Sequence, residues 1–510
     1  MNHKTTLKII IKSFLYFFVG IIIIASISLN RLASWFSQKF SIGIQEVLFT
    51  IKSPLQGADT NFLKDAIDFI NIQKLIILFG CYVIAVILFE CFFTKVVARI
   101  EIKTKNNHSI SLNVYPMIIV FFSFSVLFLL FTSLYHADKA AHITQYIKEK
   151  RSQTLIFDEQ YVKPTTANIR GTGKNIIYIY MESMETTYAS KEVGGAQQVD
   201  NYIPYLTTLA QDNLNFSNST KLGGFHVSTG ATWTMGALFT MSTGVPFKFP
   251  INGNEMNLRE KFASGITAIG DILEEKGYVQ EFLCGSDATF GGRKQFYEQH
   301  GKYKIYDLFS AREQGYIDSD YLAGWGFEDE ILYRIAKDEI LRLAESDKPF
   351  NFTMLTVDTH HVGGYKCNLC QDAYSENLAN VLACADHQIY DFIQWCQAQD
   401  FYNDTVIVII GDHPRMDSIL IGDLSIYDRT VYNCFINSAK TTQNIKNREF
   451  CTLDIFPTVL SSMGFEIEGD RLGLGTDLFS NTQTYCEEIG FDEFNMEMSK
   501  YSKFYIDNFS

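Results

Sequence analysis

Three stretches near the start of the chain constrain it most. Ser13 to Leu29, Leu75 to Phe93 and Tyr115 to Tyr135 are nearly uncharged, and each is about long enough to cross a hydrocarbon core of roughly 30 Å. Hydrocarbon offers no partner to an unbonded backbone N–H or C=O, so each is expected to be a transmembrane helix. The first span is followed by no Ala-x-Ala site and by two further spans, so it reads as an anchor rather than a cleaved signal. Lys4, Lys8 and Lys12 precede it, and the loop between the second and third spans carries Lys95, Arg99, Lys103 and Lys105 against Glu101 alone. By the positive-inside rule both segments are cytoplasmic, the mixed-charge loop from Asn30 to Lys74 lies outside, and everything after His136 is extracytoplasmic.

The expected organisation is a membrane domain over 1–136, a linker over 137–174 and an extracytoplasmic domain over 175–510. The linker is charged and helix-forming to about Gln153, then turn-rich through Lys163-Pro-Thr-Thr-Ala and Arg170-Gly-Thr-Gly-Lys174. The Gly-Thr-Gly-Lys stretch is no phosphate loop, because it precedes its strand and lacks the Walker spacing. With 43 basic against 57 acidic residues and a net charge of −14, nucleic acid is not an expected partner. Cys81 and Cys91 fall in the second span, which leaves Cys284, Cys367, Cys370, Cys384, Cys396, Cys434, Cys451 and Cys486 outside. An oxidising compartment favours a disulfide between the closest pair, Cys367 and Cys370. Read instead as half a zinc knuckle, Cys367-Asn-Leu-Cys370 lacks a second matching pair.

From Asn175 on, apolar runs alternate with helical patterns at Ile203–Asn213, Gly270–Lys276, Asp329–Glu345 and Asn377–Ala398. That alternation predicts an α/β fold with a mainly parallel sheet flanked by helices. Three of the apolar runs end in ligand-type side chains: Asn175-Ile-Ile-Tyr-Ile-Tyr-Met-Glu182, Phe352-Thr-Met-Leu-Thr-Val-Asp-Thr-His360 and Thr405-Val-Ile-Val-Ile-Ile-Gly-Asp-His413. In parallel α/β sheets the carboxyl ends of the strands are where ligands bind. Taken singly, Gly411-Asp412-His413-Pro414 is ordinary turn chemistry and Glu182-Ser183 a helix start. Taken together, Glu182, Asp412 and His413 suit Zn²⁺ or Mn²⁺ and leave room for one more oxygen, which a metal would activate as a nucleophile. Gly230-Ala-Thr-Trp-Thr-Met-Gly-Ala237 opens a helix and offers Thr232 and Thr234 as hydroxyls, either of which could equally be a plain cap.

Met181-Glu182-Ser183, Trp233-Thr234-Met-Gly-Ala, Asp358-Thr-His360, Gly411-Asp412-His413 and Asp454-Ile-Phe-Pro-Thr-Val-Leu460 occur in the order and context of the lipoteichoic acid synthase and phosphoglycerol transferase family, within the sulfatase and alkaline phosphatase superfamily, which this chain resembles. The likeness runs from about Asn175 to Phe479, and Gly469 to Phe479 resembles the branch that makes phosphoglycerol-modified periplasmic glucans. The resemblance implies a sulfatase-like fold behind three transmembrane helices, in the bacterial inner (cell) membrane with a periplasmic catalytic domain. It implies that Glu182, Thr234, Asp412 and His413 bind a metal, manganese first with zinc or magnesium as alternatives, and that Thr234, twelve residues before Pro246, is the nucleophile. It further implies that His360, with His361 as the alternative, stands beside the phosphate, and that Asp287 and Arg293 hold the substrate head group. The family's tryptophan in this last segment is a glycine here, Gly291 or Gly292, and the segment is one residue shorter.

The activity implied is transfer of sn-glycerol phosphate from phosphatidylglycerol to a glycan or polyol-phosphate acceptor through a phosphothreonine-type intermediate. A sulfatase activity is not expected, because Thr234-Met-Gly-Ala-Leu lacks the Cys/Ser-x-Pro-x-Arg pattern. The alternatives are a phosphoethanolamine transferase acting on lipid A or a surface glycan, which the outer cysteines suit, and a catalytically inactive assembly protein of the same fold.

Overall fold

The computed structural model describes residues 3–39, 61–93, 99–103, 109–248, 262–360, 363–417, 419–421 and 427–509. His361, Lys95, Lys105 and much of the Asn30–Lys74 loop lie outside the described residues. The described residues form two compact units, divided between residues 145 and 146.

In the first unit, α1 (His3–Lys39), α2 (Ile72–Leu88, extended by a π-helical turn Phe89–Phe93) and α3 (Tyr115–Ala141) coincide with the three expected spans. Three segments, Ile9–Ser37, Ala66–Cys91 and Tyr115–Ala141, are long and apolar enough to cross a membrane. Phe14, Leu15, Ile76, Ile77, Phe121 and Phe128 are exposed on them, which water does not tolerate in such density. Polar contacts link the helices: Glu90 accepts from Lys12 Nζ at 2.7 Å and from Tyr16 at 2.5 Å, and Asn30 donates to Ser133 at 2.7 Å. The stretch read as a linker is largely structured: helices cover Ile143–Arg151 and Ile156–Gln160, Phe157 is fully buried, and Ile169–Arg170 pairs with Glu466–Ile467.

The second unit is built on a six-stranded sheet. Its strands are β1 (Asn175–Met181), β2 (Val279–Cys284), β3 (Lys304–Tyr306), β4 (Phe350–Leu355), β5 (Thr405–Gly411) and β6 (Asn433–Ile436). The order across the sheet is β3-β2-β4-β1-β5-β6, every pairing being parallel except β5 with β6. The three central strands are buried on both faces, as helices covering both sides require, with Asn351 and Thr353 of β4 among the polar exceptions. Ile176, Tyr178 and Tyr180 of β1 and Val406, Val408 and Ile410 of β5 enter one core, with α5 (Thr234–Thr243), α6 (Ile269–Glu275) and α9 (Ile455–Met463). Ile177, Ile179 and Met181 of β1 with Ile407 and Ile409 of β5 enter the other, under α4 (Pro204–Asp212), α7 (Asp329–Ala344) and α8 (Asn377–Gln397). A strand's side chains alternate between faces, so one run feeds two cores.

The expected disulfide is absent: Cys367 and Cys370 are free, their sulfurs 3.6 Å apart, against about 2.05 Å for a bonded pair. Cys384 of α8 is also in contact, 3.7 Å from Cys367.

Candidate active site

The parallel register of β1 and β5 brings the first two ligands together. Asn175 pairs with Thr405 and Met181 with Gly411, so the next residues on each strand, Glu182 and Asp412, leave the sheet side by side. The Asp412 N–H donates to Met181 O at 3.2 Å and continues the ladder for one more step. Gly411 permits this crossing, because a Cβ there would lie 1.9 Å from the Met184 carbonyl oxygen. Ser183 turns the chain in the left-handed region at φ 53, sparsely populated for a non-glycine residue. Its amide is thereby aimed at Asp412 Oδ1 (2.7 Å) and its hydroxyl at Glu182 Oε1 (2.6 Å).

His413 follows directly. Its Nδ1 lies 2.9 Å from the Pro414 carbonyl, which can only accept, so Nδ1 carries the proton and the neutral ring leaves the Nε2 lone pair for the cluster. Nε2 is 3.4 Å from Asp412 Oδ2 and 3.8 Å from Glu182 Oε1. Thr234, the first residue of α5, places Oγ1 3.2 Å from Glu182 Oε2 and 3.4 Å from His413 Nε2. Its side chain is half-buried, whereas Glu182, Asp412 and His413 are all at most 2 % exposed.

The electrostatics are those of too much negative charge in too little water. Burial, and then the Glu182 charge, push the Asp412 carboxyl up to about 7. Burial also opposes ionisation of Glu182, but the His360 and His413 charges outweigh it and hold this carboxyl below its usual range. Burial would lower the His413 imidazole; Asp412 and Glu182 raise it instead. Asp412 Oδ2 is buried without a hydrogen-bond partner, a costly arrangement unless something else takes the position. Two carboxylates, an imidazole nitrogen with a free lone pair and a hydroxyl form a donor set for a divalent cation, and the ligand atoms of Glu182, Asp412 and His413 all lie within 4.8 Å of one another.

His360, past the end of β4, acts electrostatically on Glu182 and packs against Trp325 at 4.5 Å between ring centroids, the rings tilted by 54°. Trp325 also faces Phe290 at 5.7 Å, and the Arg293 guanidinium lies 5.8 Å from the Phe290 ring. Arg293 is buried and donates to Ser286 Oγ and the Asp287 carbonyl, both at 2.9 Å. The Asp287 carboxylate accepts from the backbone and hydroxyl of Thr289, so it shapes its own turn. Gly291 and Gly292 both lie at positive φ, 67 and 81, where a tryptophan would be strained, and the indole near His360 comes from Trp325 in another segment.

Two residues not singled out in the sequence, Arg415 and Glu185, support the site. Arg415 is fully buried; its Nε bonds both Asp417 oxygens at 2.9 Å and its Nη1 donates to the Thr359 carbonyl, tying the loop after β5 to that after β4. Glu185 accepts from the Arg415 N–H at 3.1 Å and from Arg429 at 2.6 and 2.8 Å. Asp454 of the fifth motif is structural, accepting from the amides of Thr476 (2.8 Å) and Cys451 (2.9 Å).

The sulfatase family profile matches residues 174–465, and the chain belongs to that family. It is 29% identical over 369 residues to phosphoglycerol transferase I of Escherichia coli O6:K15:H31 (strain 536 / UPEC), covering 70% of this chain and 46% of that one. It is 28% identical over 314 residues to phosphoglycerol transferase I of Xanthomonas euvesicatoria pv. vesicatoria (strain 85-10), covering 60% and 43%. The chain thus spans about half the length of the curated relatives it matches. The lipoteichoic acid synthase LtaP from Listeria monocytogenes shares the fold at a TM-score of 0.50 and 20% identity, over 64% of this chain and 80% of that one.

Proposed function

We propose that the protein is a membrane-anchored, metal-dependent phosphotransferase that moves sn-glycerol phosphate from phosphatidylglycerol to an extracytoplasmic glycan or polyol-phosphate acceptor. The observation that carries this reading is the convergence of the Thr234 hydroxyl, at 3.2 and 3.4 Å, on Glu182 and His413. The likeness to two phosphoglycerol transferases supports the choice of donor. The domain division at 136 and 174, the periplasmic placement of 175–510 and the inner-membrane location belong to the same proposal.

In this reading Glu182, Thr234, Asp412 and His413 hold the cation, manganese first. When bound, it supplies positive charge that favours the alkoxide of Thr234 and offsets charge on a phosphate. Thr234 Oγ1 gives its proton to solvent and forms a bond to the phosphorus while the bond to the diacylglycerol oxygen breaks, leaving phosphoglycerol on Thr234, whose oxygen takes a proton back from solvent when the acceptor displaces it. The Thr234 hydroxyl already donates toward Glu182 Oε2, which aligns the oxygen for attack. The amino end of α5, which Thr234 opens, presents unbonded N–H groups to the phosphate oxygens. His360 protonates the departing oxygen and later removes the proton of the acceptor hydroxyl, whose attack frees Thr234. Arg293 and Asp287 hold the glycerol phosphate head group, and the membrane helices keep the domain near its lipid donor.

The reading is tested with the full-length protein in phosphatidylglycerol vesicles, following diacylglycerol release. Release that needs manganese and falls to background in Thr234→Ala is expected. Manganese binding with no release from any glycerophospholipid would support the inactive assembly protein instead.

A further inference from the structure

Cys367, Cys370 and Cys384 form a second cluster of ligand-type side chains outside the catalytic constellation. Their three sulfurs lie within 4.8 Å of one another, at 3.6 Å for Cys367–Cys370 and 3.7 Å for Cys367–Cys384. Zn–S bonds are about 2.3 Å long, so two thiolates at corners of a zinc tetrahedron stand about 3.8 Å apart. The observed separations match that edge and exceed a disulfide bond by far. Cys367 and Cys384 are buried and Cys370 half-buried, and their sulfurs supply three of the four ligands of a tetrahedral zinc. Gln388, 7% exposed, directs its amide nitrogen at Cys384 (3.4 Å) and Cys367 (3.8 Å), the kind of donor that supports metal-bound thiolates.

Two buried carboxyls interact electrostatically with this cluster. Asp358 is 2% exposed, and neither of its carboxylate oxygens has a hydrogen-bond partner among the described residues. It is an electrostatic neighbour of Cys367 and of Asp329, which is itself buried and bonded only to the amides of Val357 and Asp358. Neither aspartate has an ion pair with Lys, Arg or His among the described residues. Burial, and then the Asp329 charge, push the Asp358 carboxyl up to about 10, so near neutrality it keeps its proton and adds no charge beside a zinc–thiolate group that itself carries one net negative charge. The Cys451, Asp454 and Cys486 group differs, because both Asp454 oxygens are taken by backbone amides.

We infer that Cys367, Cys370 and Cys384 bind a structural zinc ion that pins the loop leaving His360 to helix α8. The sequence shows only half a knuckle; its completion is a single cysteine one helix on, rather than a second Cys-x-x-Cys. Binding releases the thiol protons to solvent and involves no change of oxidation state. Zinc ligation and a Cys367–Cys370 disulfide exclude each other, and the inference stands apart from the donor and acceptor proposed above.

The test uses full-length protein purified without chelator, with metal content measured by mass spectrometry in wild type, His413→Ala and Cys384→Ser. About one equivalent of zinc that survives His413→Ala and is lost in Cys384→Ser is expected. Should Cys384→Ser fail to fold, wild-type protein titrated with a mercurial in the presence of a chromophoric zinc chelator gives the same answer: zinc is released as the thiols react. Wild-type protein that releases no zinc and yields a disulfide-linked peptide among Cys367, Cys370 and Cys384 would overturn the inference.

Discussion

A carboxyl group as deeply buried as Asp412 gains by keeping a proton unless a cation takes its place. Its folded pKa, about 7, lies above the ordinary 3.8, so between these values the native protein holds a proton that the unfolded chain gives up. The metal-free protein therefore has this contribution in full at low pH and loses it as pH rises through about 7. The raised His413 imidazole acts in the same direction, its contribution fading as pH rises through its folded value. Cation binding needs both groups deprotonated, so it stabilises in the opposite sense. The rise in melting temperature on adding manganese should be small near about pH 5, larger near about pH 8, and much reduced in Asp412→Asn. Equal shifts at both pH values would contradict the site. Thr234→Ala should reduce phosphoglycerol transfer by about a thousandfold or more while changing stability by less than about 1 kcal/mol, read by activity and denaturant titration. Glu182, Asp412 and His413 were legible in the sequence because strand ends carry them, whereas only the family resemblance separated Thr234 from Thr232 at the helix start. Trp325 and Arg415 were not, since their contacts, with His360 and with Thr359 and Asp417, depend on which distant loops the sheet brings together.

At the scale of elements, the strands at the sheet's centre were legible because burial on both faces demands unbroken apolar runs. β1 and β5 each end within two residues of the expected position, with Glu182 and the Asp412-His413 pair just beyond the ladder. β4 runs from Phe350 to Leu355, earlier than expected, because Val357 and Asp358 turn to bond Asp329. β3 and β6 are three and four residues long, too short for periodicity to reveal, and exist through pairing with β2 and β5. Arg415 is the tie between the loops after β4 and β5. Arg415→Met should cost about 3 kcal/mol in denaturant unfolding, because Asp417 is left buried and uncompensated. A loss below about 1 kcal/mol would show that the loops hold each other without it.

For the whole molecule, the membrane helices were the most legible part, since lipid leaves a long apolar run few alternatives to a helix. Less legible was the segment after them, whose turn-rich composition hid Phe157 and the pairing of Ile169–Arg170 with Glu466–Ile467. The charge pattern of the short loops predicts that a reporter active only in the periplasm works when fused after residue 510 and fails when fused in the loop carrying Lys95 to Lys105. The reverse pattern would put the catalytic constellation on the wrong side for an extracytoplasmic acceptor. The central claim is that Thr234 carries the transferred group. It is tested most directly by exposing the protein with manganese to phosphatidylglycerol, without acceptor, and mapping the adduct by peptide mass spectrometry. One phosphoglycerol on the peptide bearing Thr234, absent in Thr234→Ala, is the predicted result; a phosphoethanolamine adduct from mixed lipid, or phosphoglycerol on another residue, would contradict it.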